Sequence, residues 1–415
     1  MKRIQLLDYY SGLFGAAGPE GRKGRILARI AGSDGQTRKR LAEDMCIRPA
    51  TVSKLVLELI QVGLVREGRP EVAGQKGRPE IALAANPQGL VSIVCNTVSR
   101  GLHCALVDMA GKVLVADQCE LDADTIGHEA FVAALLDLVR AAEGHVPLDS
   151  RLAGVVLSLP GIVDEDNRVW RYAAHWPNLT ELDFAGMEAR LGMPFLLAKN
   201  LKCELRARMS ESDARAHDAT LLLHWGYGIG AAFARRGALD LQYGSFGEVG
   251  HFCVDPRSTA RCKCGMTGCI EAEAGLWALL DRLGDPSLPS DEWGFADVLA
   301  ARPDVADWSM SIEYIALCLR NLVLTLKPDH CVITGPFSQT PQIMRALRAR
   351  FSEVMPANAL VVGGTPDLDV GAPGIGYEVV GASALAFGEA LKNICGVQGL
   401  GVSKTMSRTD MQADD

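Results

Sequence analysis

The 415-residue sequence has no export signal and no apolar stretch of membrane-spanning length. Its opening, MKRIQLLDYYSGLFGAAG, carries a basic pair with no continuous apolar segment behind it. A cytoplasmic protein with no membrane partner is therefore the expectation. Also missing is a disulfide framework, although the chain has 12 cysteines. Cys95, Cys104, Cys318 and Cys331 stand isolated among apolar residues, where a thiol behaves as a small hydrophobe. Only Cys262, Cys264 and Cys269 are closely spaced, and they need their own explanation. With 48% apolar residues, the chain can bury cores in two or three domains.

The net charge of −8 conceals a division. Residues 1–80 carry 15 Lys/Arg against 9 Asp/Glu, a net of +6, and the remainder of the chain carries −14. A basic head on an acidic body points to a polyanion that meets the head alone, although charge by itself does not exclude a chance fluctuation.

Within that head, after an N-terminal arm (1–20), GRKGRILARIAGSDG predicts a short basic helix with Ile26, Leu27 and Ile30 on one face. TRKRLAEDMCI predicts a second, with Leu41, Ala42 and Met45 inward. The turn Ile47-Arg48-Pro49 leads into a third, ATVSKLVLELIQVGLV, closed by Gly63. Three short helices with a tight turn before the last form a helix-turn-helix, and Thr51, Ser53 and Lys54 fall on the outward face of the third. With Arg48 in the preceding turn, these are the residues expected to meet double-stranded DNA. A three-helix bundle with a solvated polar face is the bland alternative. VREGRPEVAGQKGRPEIAL follows as a strand, a Gly-rich loop and a returning strand, the pattern of a wing. Arg69 and Arg78 each sit between Gly and Pro on a slim backbone suited to a minor groove, or to an ordinary basic linker turn. The expected DNA-binding domain is 21–86, a winged helix-turn-helix.

From about Leu90, strand-like runs such as LVSIVCNTV and AGVVLSLPGIVD alternate with helical periodicity, and a second block of the same kind begins at ATLLLHWGYGIG. Two α/β lobes with a cleft between them are predicted. His251, Cys262, Cys264 and Cys269, with ten, one and four residues between them, supply one imidazole and three thiolates. That is a closed tetrahedral set for one structural zinc per chain, with no position left for a catalytic water. A redox switch or a chance cluster are the alternatives. Gly265 and Gly268 permit the turns that gather the sulfurs.

The stretch GEVGHFCVDPRSTARCKCGMTGCIEAEAG resembles the signature of the ROK family (repressors, open reading frames and sugar kinases). Pro160–Asp164 (PGIVD), Gly226–Gly230 (GYGIG), ITGPF near Gly335 and VVGASALAF near Gly381 follow in the family's order. With the winged head, the chain is similar to the family's repressor branch, which includes N-acetylglucosamine, glucose and xylose repressors. The resemblance implies a two-lobed actin-like domain. Its expected parts are lobe 1 at 87–198, lobe 2 with the zinc motif at 199–370, a C-terminal helix returning to lobe 1 at 371–395, and a disordered tail at 396–415. It also implies a sugar site between the lobes, carried by Gly161, Asn200, Glu248, His251 and Glu271, with His251 able to use its second ring nitrogen there.

Kinases of the family carry Asp after that Asn, as the base for the sugar hydroxyl, and a D-x-G-G-T phosphate loop. Here Leu201 replaces the Asp, and Asn96-Thr97-Val98-Ser99-Arg100 lacks the glycines. Tyr227 stands where the family has a small Ser or Thr. The expectation is a non-enzymatic, sugar-responsive repressor, a homodimer or homotetramer on a pseudo-palindromic operator. Leu201 points to a deoxy, acylated or otherwise less polar effector, or to none. The rival readings are a sugar kinase with a fused DNA-binding head, and a regulator controlled by a protein partner with a vestigial ligand site.

Overall fold

A computed structural model of the chain describes residues 21–396, except 34, 72–79, 99–100, 211–216, 237, 240–246, 358–363 and 375. The N-terminal arm, the C-terminal tail beyond 396, Arg78, Ser99 and Arg100 lie outside the described residues, as does the side chain of Arg69.

The head contains α1 (Arg22–Gly32), β1 (Gln36–Thr37), α2 (Arg38–Asp44), α3 (Pro49–Gln61), β2 (Val65–Glu71) and β3 (Glu80–Ala85). Thr37 caps α2 by accepting the Arg40 N–H, and its hydroxyl donates to Glu80, which ties the helices to the hairpin. Pro49 begins α3, where a missing N–H costs nothing. Ile26, Leu27, Ile30, Leu41, Val52, Val56 and Leu59 close the three-helix core, with Met45 half-buried at its margin. The pair β1–β3 extends the hairpin into a three-stranded antiparallel sheet that sequence periodicity did not reveal.

Lobe 1 is built on β4 (Leu90–Val98), β5 (Gly101–Asp108), β6 (Val113–Glu120), β7 (Arg151–Leu159) and β11 (Phe195–Lys199), in the order β6-β5-β4-β7-β11. A small side sheet comprises β8 (Ile162–Asp164), β9 (Val169–Tyr172) and β10 (Leu182–Asp183). Alternation along β4 sends Ile93 and Cys95 to the face covered by α4 (His128–Glu143), and Val94 to the opposite face. The short α5 (Met187–Leu191) precedes β11, and α6 (Asn200–Arg208) follows it.

Lobe 2 repeats the plan with β12 (Ala219–Trp225), β13 (Ile229–Arg235), β14 (Ala238–Leu239), β15 (His330–Thr334) and β16 (Asp367–Val370), ordered β14-β13-β12-β15-β16. In each sheet three antiparallel strands are joined to two parallel ones. Its helices are α7 (Ile270–Ala274), α8 (Leu276–Leu283), α9 (Glu292–Ala301), α10 (Ser309–Leu326) and α11 (Pro341–Val354). Among the described helices, α10 alone is long and apolar enough to cross a membrane, which sequence inspection had not picked out. It nevertheless lies in the lobe 2 core, with Ile315, Leu319 and Val323 fully buried.

The last helix, α12 (Gly376–Cys395), returns to β4 and β7 of lobe 1 and crosses α6. A Cβ on Gly381 would come within 1.8 Å of the Cys203 carbonyl oxygen, so only glycine permits this crossing. α6 is shared between lobes: Cys203 and Ala207 join the lobe 1 core, while Leu201 and Leu205 pack on Leu222 and Ala232 of lobe 2.

Candidate functional site

In the head, Ser53 and Lys54 are exposed on α3 and Thr51 is half-buried, while Arg48 is exposed in the preceding turn. Lys23 of α1 ion-pairs with Glu58 of α3 at 2.8 Å, and that hydrogen bond holds the Glu58 carboxyl below its usual range.

In lobe 2, a 3-10 turn (Val249–His251), a loop and the start of α7 bring together His251, Cys262, Cys264 and Cys269. Their ligand atoms all lie within 4.8 Å of one another, and the set can hold a metal ion. His251 Nδ1 is 3.6 Å from the Cys262 sulfur, and Cys264 and Cys269 are 3.7 Å apart. Cys253 is exposed and outside the cluster. The second nitrogen of His251, Nε2, is 4.0 Å from Glu248 Oε2, so the cluster and the carboxylate are neighbours.

Strand register assembles the cleft. Asn96 of β4 pairs with Ser158 of β7, Leu159 with Lys199 of β11, and His224 of β12 with Thr334 of β15. The carboxyl ends of both sheets therefore open on one cavity, the usual place for a ligand in such sheets. Gly161, Asn200, Glu248, His251 and Glu271 all line it, so the five expected ligand residues come together. Gly161 has φ of 77°, and a Cβ there would meet the Tyr172 carbonyl oxygen at 2.2 Å. Glu271 accepts the Ile229 N–H, and its other oxygen is 3.2 Å from His175 Nε2. Burial pushes its pKa up, but the neighbouring His175 ring and the Ile229 amide outweigh it, and the carboxyl falls below its usual range. Glu248 accepts a 2.6 Å hydrogen bond from the buried Lys199 ammonium.

Further carboxylates line the same cavity. Glu292, at the start of α9, accepts the Tyr227 backbone N–H at 2.5 Å and pairs with His224 at 3.1 Å. Burial works against charging His224, yet the charge and hydrogen bond of Glu292 raise its pKa to about 9. Glu204 takes two donors from Arg208 on one oxygen. Glu378, which accepts from Ser158, is pushed by burial up to about 8 and is therefore neutral at pH 7.

Sequence reasoning missed Lys199, His175, His224, Glu292 and Glu378. Lys199 adjoins Asn200 and was legible beside it. Glu292 lies 65 residues from Tyr227 in no recognisable motif, and only folding unites them.

Two α/β lobes of repeated topology, a Cys/His cluster at the cleft and the connected order of these parts define a class. The chain belongs to the ROK family, whose model matches residues 99–386. It is 27% identical over 242 residues to the DNA-binding transcriptional repressor Mlc of Escherichia coli (strain K12). That match covers 57% of this chain and 58% of Mlc, so the chain spans less than two thirds of that relative's length. It is 25% identical over 327 residues to the DNA-binding transcriptional dual regulator NagC of the same organism, covering 74% of this chain and 78% of NagC. The crystal structure of a ROK family transcriptional regulator, a homolog of E. coli MLC protein, superposes with a TM-score of 0.70 at 22% identity. It covers 90% of this chain and 98% of that one, and shares the fold.

Proposed function

We propose that the protein is a DNA-binding transcription regulator, acting as a repressor, whose affinity for DNA is set by a sugar or sugar derivative held between the lobes. The observation that carries this reading is one continuous core. It runs from α1 and α3 of the head through α12, whose other end lines the cleft. A ligand that prefers one arrangement of the lobes then acts on the head through packed side chains. In this reading residues 21–86 form a winged helix-turn-helix in which Arg48, Thr51, Ser53 and Lys54 meet DNA, with Arg69 and Arg78 in the wing. The names of Mlc and NagC support it. The body is a homodimer or homotetramer matching a pseudo-palindromic operator, with Gly161, Asn200, Glu248, His251 and Glu271 as the ligand contacts.

Three thiolates and an imidazole within 4.8 Å suit zinc, held by His251, Cys262, Cys264 and Cys269. All four positions are filled by protein, so zinc would supply rigidity to the loop carrying Glu248, and no Lewis-acid chemistry. Kinase activity is disfavoured by Leu201, which accepts no proton, and by Glu292, whose carboxylate already occupies the Tyr227 N–H at the Gly-rich turn. The test is capture of fragmented source DNA on purified protein, followed by affinity measurements across salt concentrations. Absence of salt-sensitive binding at every captured fragment would sink the regulator reading, and multiple turnovers of ATP with any hexose would favour the kinase.

A further inference from the structure

We propose that the cleft takes a sugar acid, a polyhydroxylated ligand bearing one carboxylate, and that Lys199 is its counter-charge; this rests on the ligand-responsive reading above. Lys199 ends β11, is only 2% exposed and lines the cavity. Its ammonium has three N–H donors, and Glu248 accepts one; no second acceptor is found among the described residues. Buried donors without acceptors are costly, and a ligand oxygen is the natural partner for a group in this position.

The backbone adds to the same corner. α6 starts at Asn200 with no acidic residue in its first turn and no side-chain cap from Lys199. Of its leading amides, the Leu201 N–H is met by the Asn200 side chain at 2.8 Å. A helix N-terminus carries partial positive charge, part of which Glu165 already meets by accepting the Lys199 N–H at 2.9 Å; what remains reinforces the buried ammonium. Nothing opposes an anion from position 201, where leucine replaces the carboxylate of the family's kinases. The two carboxylates facing the ligand end are each held internally, Glu248 by Lys199 and Glu271 near His175. The second oxygen of Glu248, facing the cleft beside His251, is left to accept a hydroxyl hydrogen, which is why the ligand is polyhydroxylated as well as acidic. A carboxylate brings one negative charge. A phosphate ester brings nearly two and sets them against Glu248 and Glu271.

The experiment is calorimetric titration of the full-length, zinc-loaded protein. The panel contains hexuronates, aldonates, the parent hexoses and hexose 6-phosphates, at low and moderate salt. At least one sugar acid is expected to bind tenfold or more tightly than its parent hexose, with the preference shrinking as salt rises. Lys199→Met should abolish the preference and Lys199→Arg should retain it, with melting temperature and zinc content as checks on folding. If Lys199→Met does not fold, the comparison on the unaltered protein decides alone. A neutral hexose or a hexose phosphate binding as tightly as the best acid, or no binding by any acid, overturns the proposal. DNA binding in the same samples separates the readings. Bound DNA without acid preference defeats only this inference, whereas acid preference without DNA binding defeats only the regulator.

Discussion

Lys54 and the pair His224–Glu378 show how differently single residues act in this molecule. Lys54 is exposed on α3 and is expected to meet a phosphate. Lys54→Ala should weaken DNA binding across all sequences and reduce the slope of log affinity against log salt by about one. A loss confined to one sequence, with the slope unchanged, would mean a base contact instead. His224 and Glu378 are half-buried in the cleft lining, and both have raised pKa values, about 9 and about 8 against reference values of 6.5 and 4.5. A raised folded-state pKa contributes stability that is complete below the unfolded pKa and is lost as pH climbs through the folded one. The melting temperature should therefore fall between about pH 4.5 and pH 9, with the Glu378 part lost between about 4.5 and 8 and the His224 part between about 6.5 and 9. Glu378→Gln, which keeps a partner for Ser158 but cannot ionise, should flatten the lower part of that decline in a pH series of thermal melts.

Elements depend on two local devices. The loop from His251 to Cys269 has little regular structure, and its sulfurs and imidazole lie close enough to share one metal ion. Cys264→Ser should lower metal content from about one ion per chain and reduce the melting temperature. Unchanged metal content would show that Cys264 is not a ligand. The crossing of α6 and α12 depends instead on an absent side chain. Gly381→Val would drive a side chain into the Cys203 carbonyl, and the expected destabilisation is ~1–3 kcal/mol or more, as for overpacked cores. Chemical denaturation measures it directly, and a neutral result would mean that the helices separate easily.

Across the whole molecule, α12 is the physical link between head and cleft. Glu378 near its start lines the cavity, and Leu391 and Cys395 near its end lie in the core shared with α1. Lys23 of α1 fixes this joint, donating to the Ile394 carbonyl at 3.1 Å while pairing with Glu58 of α3. Asn86 adds a hydrogen bond to the Gly63 carbonyl on the other side of the head. Lys23→Met should leave the affinity for ligand near that of the unaltered protein while shrinking the ligand's effect on DNA affinity several-fold. The two binding curves, measured with and without saturating ligand, test this. An undiminished effect would mean that coupling runs by another route.

The amino-acid sequence by itself determined the head helices, because their apolar residues recur at helical spacing and Pro49 and Gly63 mark the ends of the third. It also determined the two-lobed plan and the four residues of the Cys/His cluster, since strand runs and cysteine spacing are local patterns. The strand pair β1–β3 was beyond it, because two residues carry no detectable period. So were the partners of the cleft carboxylates. Lys199 and Glu248 are 49 positions apart, and His224 and Glu292 are 68 apart. Sequence patterns alone made Leu201 read as a less polar corner. Only tertiary structure buries the neighbouring Lys199 ammonium in the cleft lining. It also sets Glu248 beside Lys199 and Glu271 beside His175, because electrostatic partnership depends on distance through space and not along the chain.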